Sequence, residues 1–243
     1  MELSEYKSLY DLEESHWLYR GLRGLLLQTV KKYFAKGQNV TILDAGCGTG
    51  YNLKYFDKYG VSFGVDISPA ALTYCRERGL NRIVQASVLA LAFPDESFDM
   101  AVSIDVLYHN AVKNDSQAIS ELYRILKNDG ILIINLPAHE YLRRPHDDRV
   151  HTRHRYNRSE LLNKLRKNNF KVIKASYRNM LSYPIIFLLS LANGKLFKTI
   201  DTGVKSTPGP VNRLLYSCLK IENMFLKVTD LPFGISLFCV SKK

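Results

Sequence analysis

Three glycines stand at alternate positions in Asp44-Ala45-Gly46-Cys47-Gly48-Thr49-Gly50, directly after the apolar run Val40-Thr41-Ile42-Leu43. Glycine tolerates positive φ and carries no Cβ, so such a turn lets backbone come close to a ligand. A strand entering a glycine turn, with a helical pattern over 51–59 behind it, is half of a nucleotide-binding βαβ unit. The spacing narrows the ligand. A dinucleotide fingerprint would need glycine at position 51, where Tyr51 stands, and a P-loop would end in Gly-Lys and a hydroxyl residue, absent here. Asp66 follows about twenty residues later, where an acidic side chain can accept both hydroxyls of a ribose.

Two further groups could do chemistry. Asp105-Val106-Leu107-Tyr108-His109 follows an apolar strand over 100–104, at the end of the sheet where open α/β folds hold ligands. The second group is a loop over 137–156, rich in histidine and arginine. His146, Asp147, His151 and His154 are all metal-ligand types, but their spacing matches no zinc motif, and no metal is expected. The same loop could clamp a phosphate or carboxylate through its arginines, and this reading is preferred to a solvated loop without a role.

The elements that must position these residues read as alternating strands and helices. Residues 9–34 form one helical region, with Trp17, Leu18, Leu22, Leu25, Leu26 and Val30 at helical spacing. Strands are expected over 40–43, 61–66, 82–86, 100–104, 131–136, 170–177 and 233–240. Helices are expected from Ser68 and Pro69, over 116–126, and over 159–168 with Ser159 as N-cap. Between the last two strands lie about fifty residues, 178–232, holding apolar helical stretches at 181–192 and 211–228 around a loose loop at 193–210. The first stretch is too short to cross a bilayer, and the second is amphipathic. The 243 residues are 46% hydrophobic, enough for one α/β domain with an elaboration. The four cysteines are scattered, which fits a reducing cytoplasm, and the first ten residues lack a signal-peptide pattern. A net charge of +11 favours an anionic partner.

Taken together, the motifs resemble those of the class I S-adenosylmethionine (SAM)-dependent methyltransferases, of the type 11 kind. The glycine turn is similar to motif I of that family. Gly64-Val65-Asp66-Ile67-Ser68 resembles its second motif, the run from Leu91 to Asp99 its L-P-F-x-D-x-S-F-D segment, and Leu126-Lys127-Asn128-Asp129-Gly130 with the strand after it a later one. His16-Trp17-Leu18-Tyr19-Arg20-Gly21 and the 137–156 loop resemble a subgroup with an H-W-x-[YF]-R-G element.

The resemblance implies a Rossmann-like three-layer sandwich. Its sheet is seven-stranded and mostly parallel, with an antiparallel last strand and a helical insertion before it. Residues 1–37 would form a helical cap, 38–177 the core, 178–232 the insertion and 233–243 the closing strand. Gly46, Gly48 and Gly50 would cradle the methionine end of SAM, Asp44 its amino group, Arg20 its carboxylate, Asp66 the ribose and Ser87 the adenine. Cys47, Ile67, Val88 and Asp105 complete the expected shell, and Trp17 or Tyr19 would cover it. His109 is the expected base, with Tyr108, His139, Arg153, Arg155 and Tyr156 toward the acceptor. The expected reaction yields S-adenosylhomocysteine (SAH) and an O- or N-methylated small or lipid-linked metabolite, with an anionic acceptor in view. RNA methylation and a non-catalytic SAM-binding subunit are the alternatives, nucleic acid being the less expected partner. A monomer or homodimer is expected in the cytoplasm, with contact to the inner membrane face.

Overall fold

The computed structural model describes residues 1–191 and 206–243. Seven strands form one sheet: β1 (Val40–Ala45), β2 (Gly60–Asp66), β3 (Ile83–Gln85), β4 (Phe98–Ile104), β5 (Leu126–Pro137), β6 (Lys171–Arg178) and β7 (Ser236–Lys242). Their order is β3-β2-β1-β4-β5-β7-β6. The first five pair in parallel, while β7 runs antiparallel between β5 and β6. β1, β4 and the second half of β5 are apolar almost throughout because helices cover both faces of a parallel sheet. The strand order reverses between β1 and β4, and their carboxyl ends open a crevice there.

The expected helical region over 9–34 is two helices, α1 (Leu3–Leu12) and α2 (Trp17–Tyr33). The break is local chemistry: the His16 ring caps α2 by accepting from the Leu18 amide. The helix expected over 51–59 contracts to α3 (Leu53–Phe56), with turns on either side before β2 starts at Gly60. A Cβ on Gly60 would lie 2.1 Å from the Val40 carbonyl, so glycine is needed where β2 begins to pair with β1. α4 (Pro69–Glu77) begins as expected, with Ser68 accepting from the Ala71 amide. α5 (Asp115–Ile125) precedes β5, and α6 (Pro145–Arg149) forms within the arginine-rich loop. α7 (Arg158–Lys167) is capped by Asn157, whose side chain accepts from Glu160 N, and not by Ser159. The closing strand starts at Ser236 and not at 233, since Gly234 lies against the Arg178 backbone, too close for any Cβ.

Two helices of the insertion are described, α8 (Tyr183–Leu191) and α9 (Gly209–Phe225). The loop expected over 193–210 lies mostly outside the described residues. α9 packs on α2: the Asn223 amide donates to the Gly21 carbonyl, Gln28 donates to the Asn223 carbonyl, and the Trp17 amide donates to Asn212 Oδ1. The insertion is therefore fastened to the N-terminal cap, and α2 lies between it and the sheet core.

Candidate active site

The glycine turn leaves β1 with Gly46 N and Cys47 N donating to the Val65 carbonyl at 2.7 and 2.9 Å. Gly46 has φ +90°, and a Cβ there would meet Val106 Cγ2 at 2.1 Å, so both conformation and space require glycine. Asp66 braces the turn from β2: Oδ2 accepts from Gly48 N at 2.9 Å and Oδ1 from Ser68 N at 2.9 Å. Gly50 acts differently. A Cβ there would strike Leu80 and Cys75, so it serves the packing of the turn on α4 and does not reach the cavity.

A cavity of about 320 Å³ opens beside this turn. Of the residues expected from the sequence, Asp44, Gly46, Cys47, Gly48, Asp66, Ile67, Ser87, Val88, Asp105, Tyr108 and His109 line it. α1 and α2 close it with Tyr6, Leu9, Glu13, Tyr19 and Arg23. Arg78 clips the cap to the turn, and Arg23 of α2 ties back to the segment after α1. Arg78 donates to the carbonyls of Thr49 and Tyr10 and to Glu13 Oε1 at 2.6 Å, and Arg23 donates to the Glu13 and Glu14 carbonyls. Glu13 also takes the Thr49 hydroxyl, so one buried carboxylate joins the cap to the glycine turn.

The charge of the cavity opposes that of the chain. Five carboxylates line it (Glu5, Glu13, Asp44, Asp66 and Asp105), although the molecule carries +11. Asp44 is buried, its Oδ2 has no hydrogen-bond partner, and burial followed by repulsion from Asp66 and Glu13 pushes its pKa up to about 7. Burial likewise raises Glu13 to about 7 against the pull of Thr49, Arg78 and Arg23. Asp105 faces the open cavity yet is walled by protein; burial raises it to about 6, against Arg178 and a 3.0 Å bond from Asn135 Nδ2. It sits at φ +56°, a left-handed conformation that holds the carboxylate beyond the end of β4. An orphaned buried carboxylate oxygen and a surplus of acids fit a ligand carrying positive charge. The ammonium and sulfonium of SAM are such groups.

His109 lines the cavity with Nδ1 accepting from Ala111 N, and Nε2 lies 2.9 Å from the Met1 amino group. Burial first, then that amino group and His151, lower its pKa to about 4. A base that weak is poorly matched to neutral pH, whereas Asp105 near 6 is better matched.

Besides Gly50, five expected site residues lie elsewhere. Arg20 stacks over the Tyr216 ring at 3.9 Å, turned toward α9, and Arg23, one turn on, takes the cavity position. His139 is stacked between Tyr141 and Tyr177. Arg155 is locked to Asp147 through two 3.0 Å bonds, and Arg153 pairs with Asp115 at 3.1 Å. The Tyr156 hydroxyl donates to Asp115 as well and to the Leu107 carbonyl. The expected arginine clamp is thus neutralised internally, by acids from its own loop and from the start of α5. One ligand atom each from Asp115, His154 and Glu160 lies within 4.8 Å of the others, but Arg153 and Lys164 already occupy Asp115. Of the residues that sequence reasoning missed, Glu13 had the clearest signal, an acid three positions ahead of His16 at the foot of the cap. Trp17 does not line the cavity; Tyr19 does.

The chain's similarities agree with this geometry. Residues 43–134 match the methyltransferase domain family. A tRNA (carboxymethyluridine(34)-5-O)-methyltransferase of Arabidopsis thaliana is 37% identical over 102 residues, covering 41% of this chain and 24% of that protein. A phosphoethanolamine N-methyltransferase of Plasmodium falciparum is 31% identical over 117 residues, covering 44% of each. The chain thus spans less than half the length of these relatives. A solved complex of the Haloferax volcanii Trm112 methyltransferase activator with a methyltransferase shares the fold, with a TM-score of 0.62 at 19% identity, covering 99% of this chain and 93% of that one. Over residues 43–134 the chain therefore matches a methyltransferase domain, and its sheet order is that of the class I, SAM-dependent methyltransferase fold.

Proposed function

We propose that this chain moves the methyl group of SAM to oxygen or nitrogen of a small or lipid-linked acceptor. The observation that carries the reading is the enclosed acidic cavity with the unpartnered Asp44 Oδ2 at its floor. SAM would supply a methyl group on a sulfonium, an already activated leaving group. Asp44 would take the ammonium of the methionine end, Asp66 the ribose hydroxyls, and Ser87 and Val88 the adenine. Tyr6, Leu9 and Tyr19 exclude water from above, so alignment does most of the work. Asp105 would accept the proton of an acceptor hydroxyl or amine. The lipid-linked arm draws on exposed apolar side chains of α8 and α9, including Ile185, Leu188 and Leu214. Among the described residues no helix is long and apolar enough to cross a membrane.

RNA methylation is the second reading, favoured by the +11 charge and by relatives named as tRNA methyltransferases. The expectation that nucleic acid is not a partner finds no support in those relatives. Incubation with methyl-labelled SAM and fractionated extract, beside bulk tRNA, separates the cases. Label in the small-molecule or lipid fraction is expected. Label in RNA selects the second reading, and SAH binding without label in any fraction would leave a non-catalytic subunit.

A further inference from the structure

A buried cation with two nitrogens lacking hydrogen bonds lies beyond the cavity wall. Arg178 ends β6 and is 2% exposed, yet Nε and Nη2 have no hydrogen-bond partner. It pairs across β7 with Ser236, itself opposite Pro137 of β5. Side chains alternate along a strand, so Arg178 shares the face of Ser176, which pairs with Phe238 beneath α2. On β5, Asn135 pairs with Phe238 and shares that face. Its Nδ2 donates to Asp105 at 3.0 Å, and its Oδ1, also buried, has no partner. A polar row therefore runs along the carboxyl end of the sheet, from Asp105 at the cavity through Asn135 toward Arg178.

The insertion roofs the far end of this row. Glu222 of α9 accepts from the amides of Asn179 and Met180, at 2.6 and 2.7 Å, which anchors α9 directly after Arg178. The next residue, Asn223, ties α9 to α2. Glu222 and Asp105 both attract Arg178, but neither forms an ion pair with it within 4.0 Å among the described residues, and the Glu222 oxygens accept from backbone amides. Buried guanidinium groups are otherwise paired, because desolvation without a partner is costly. We infer that Asp105, Asn135 and Arg178 form the acceptor subsite, and that it takes a compact acceptor bearing a carboxylate or phosphate, held by the Arg178 guanidinium. This deepens the methyltransferase reading and rests on it for the role of Asp105. The insertion thereby gains a role, since α9 encloses the anion end of the acceptor.

Thermal melting of the full chain, with and without saturating SAH, tests the inference with acetate or inorganic phosphate titrated at constant ionic strength. One of the two anions is expected to stabilise wild type saturably, and which one does so distinguishes carboxylate from phosphate. Arg178→Met should lose that response and keep its response to SAH. Arg178→Lys, which keeps the charge but not the fork, should bind the anion several-fold more weakly. No saturable anion response, or one that survives in Arg178→Met, overturns the subsite. A fall in melting temperature of Arg178→Met with the anion response intact assigns Arg178 a structural role only and also overturns it. Loss of the SAH response in wild type would instead refute the cofactor reading, which the anion titration does not measure.

Discussion

Asp44 concentrates the physical problem of the site. Its carboxylate is buried, one oxygen has no partner, and its pKa stands at about 7. In the unfolded chain an aspartate titrates near ~3.9. The folded apo chain therefore holds this proton more tightly than the unfolded one. Its contribution to apo stability is most favourable below about pH 4, declines as pH rises to 7, and is flat above. Glu13 titrates in the same window and adds the same sign. A bound ammonium needs the ionised form, so SAH affinity should rise with pH, by up to about tenfold per unit between pH 5 and 7, and then level off. Calorimetry in buffers of different ionisation enthalpy reads this as proton release on binding. Asp44→Asn should lower the affinity by about 1.5–3 kcal/mol, the worth of a hydrogen bond to a charged group, and reduce the proton release. An affinity independent of pH, with no proton released, would mean that Asp44 does not meet the ammonium.

At the scale of elements, α2 decides how the cap is built, and Gly21 decides how α2 meets α9. A Cβ on Gly21 would lie 2.3 Å from Leu219 Cδ1, inside the α2–α9 contact. Gly21→Ala should cost about 1–3 kcal/mol by overpacking. Combined with Leu219→Ala, it should cost less than the sum of the two single changes, because the space vacated by Leu219 accepts the new methyl. Gly24→Ala is the control: its nearest neighbour is Asn223 Nδ2 at 3.4 Å, and Gly24 is exposed, so the change should be neutral or favourable. Urea unfolding of the four variants measures all of this, and strict additivity of the pair would break the packing account. The same contact shows what the sequence made legible. That Asp44, Gly46 and Asp66 meet at one cavity was readable because the strand, the turn and the acid ending β2 lie close in sequence and their spacing encodes the geometry. Arg20 was misplaced because α2 has two partners: the arginine facing α9 stands three positions before Arg23, which faces the cavity. Arg155 and Arg153 looked available only because Asp147 and Asp115 are brought to them by folding. Arg178 gave no signal at all, since the missing hydrogen bonds at its Nε and Nη2 are a property of the packed sheet.

At the scale of the whole molecule, α9 carries two apolar faces. One, with Leu219 and Leu226 beside it, is buried against α2 and the core. The other runs through Val211, Leu214, Ile221 and Phe225, at helical spacing and from 46 to 65% exposed, with Val228 following at 85%. Arg213, Lys220 and Lys227 lie near this stripe, and Ile185 and Leu188 of α8 add exposed apolar area. A helix with an apolar stripe and basic flanks binds a membrane surface in-plane, through apolar burial plus attraction to anionic lipid. On a chain of +11 the electrostatic part should be substantial. Co-sedimentation with vesicles containing phosphatidylserine or phosphatidylglycerol should pellet the chain, neutral phosphatidylcholine vesicles should pellet less, and added salt should release only part of it. Leu214→Glu with Ile221→Glu should abolish pelleting while the SAH-induced thermal shift stays as in wild type, since neither residue lines the cavity. Equal pelleting of the double variant would place the contact elsewhere. Binding abolished entirely by salt would reduce it to charge alone, and the lipid-linked arm of the acceptor reading would lose its structural support.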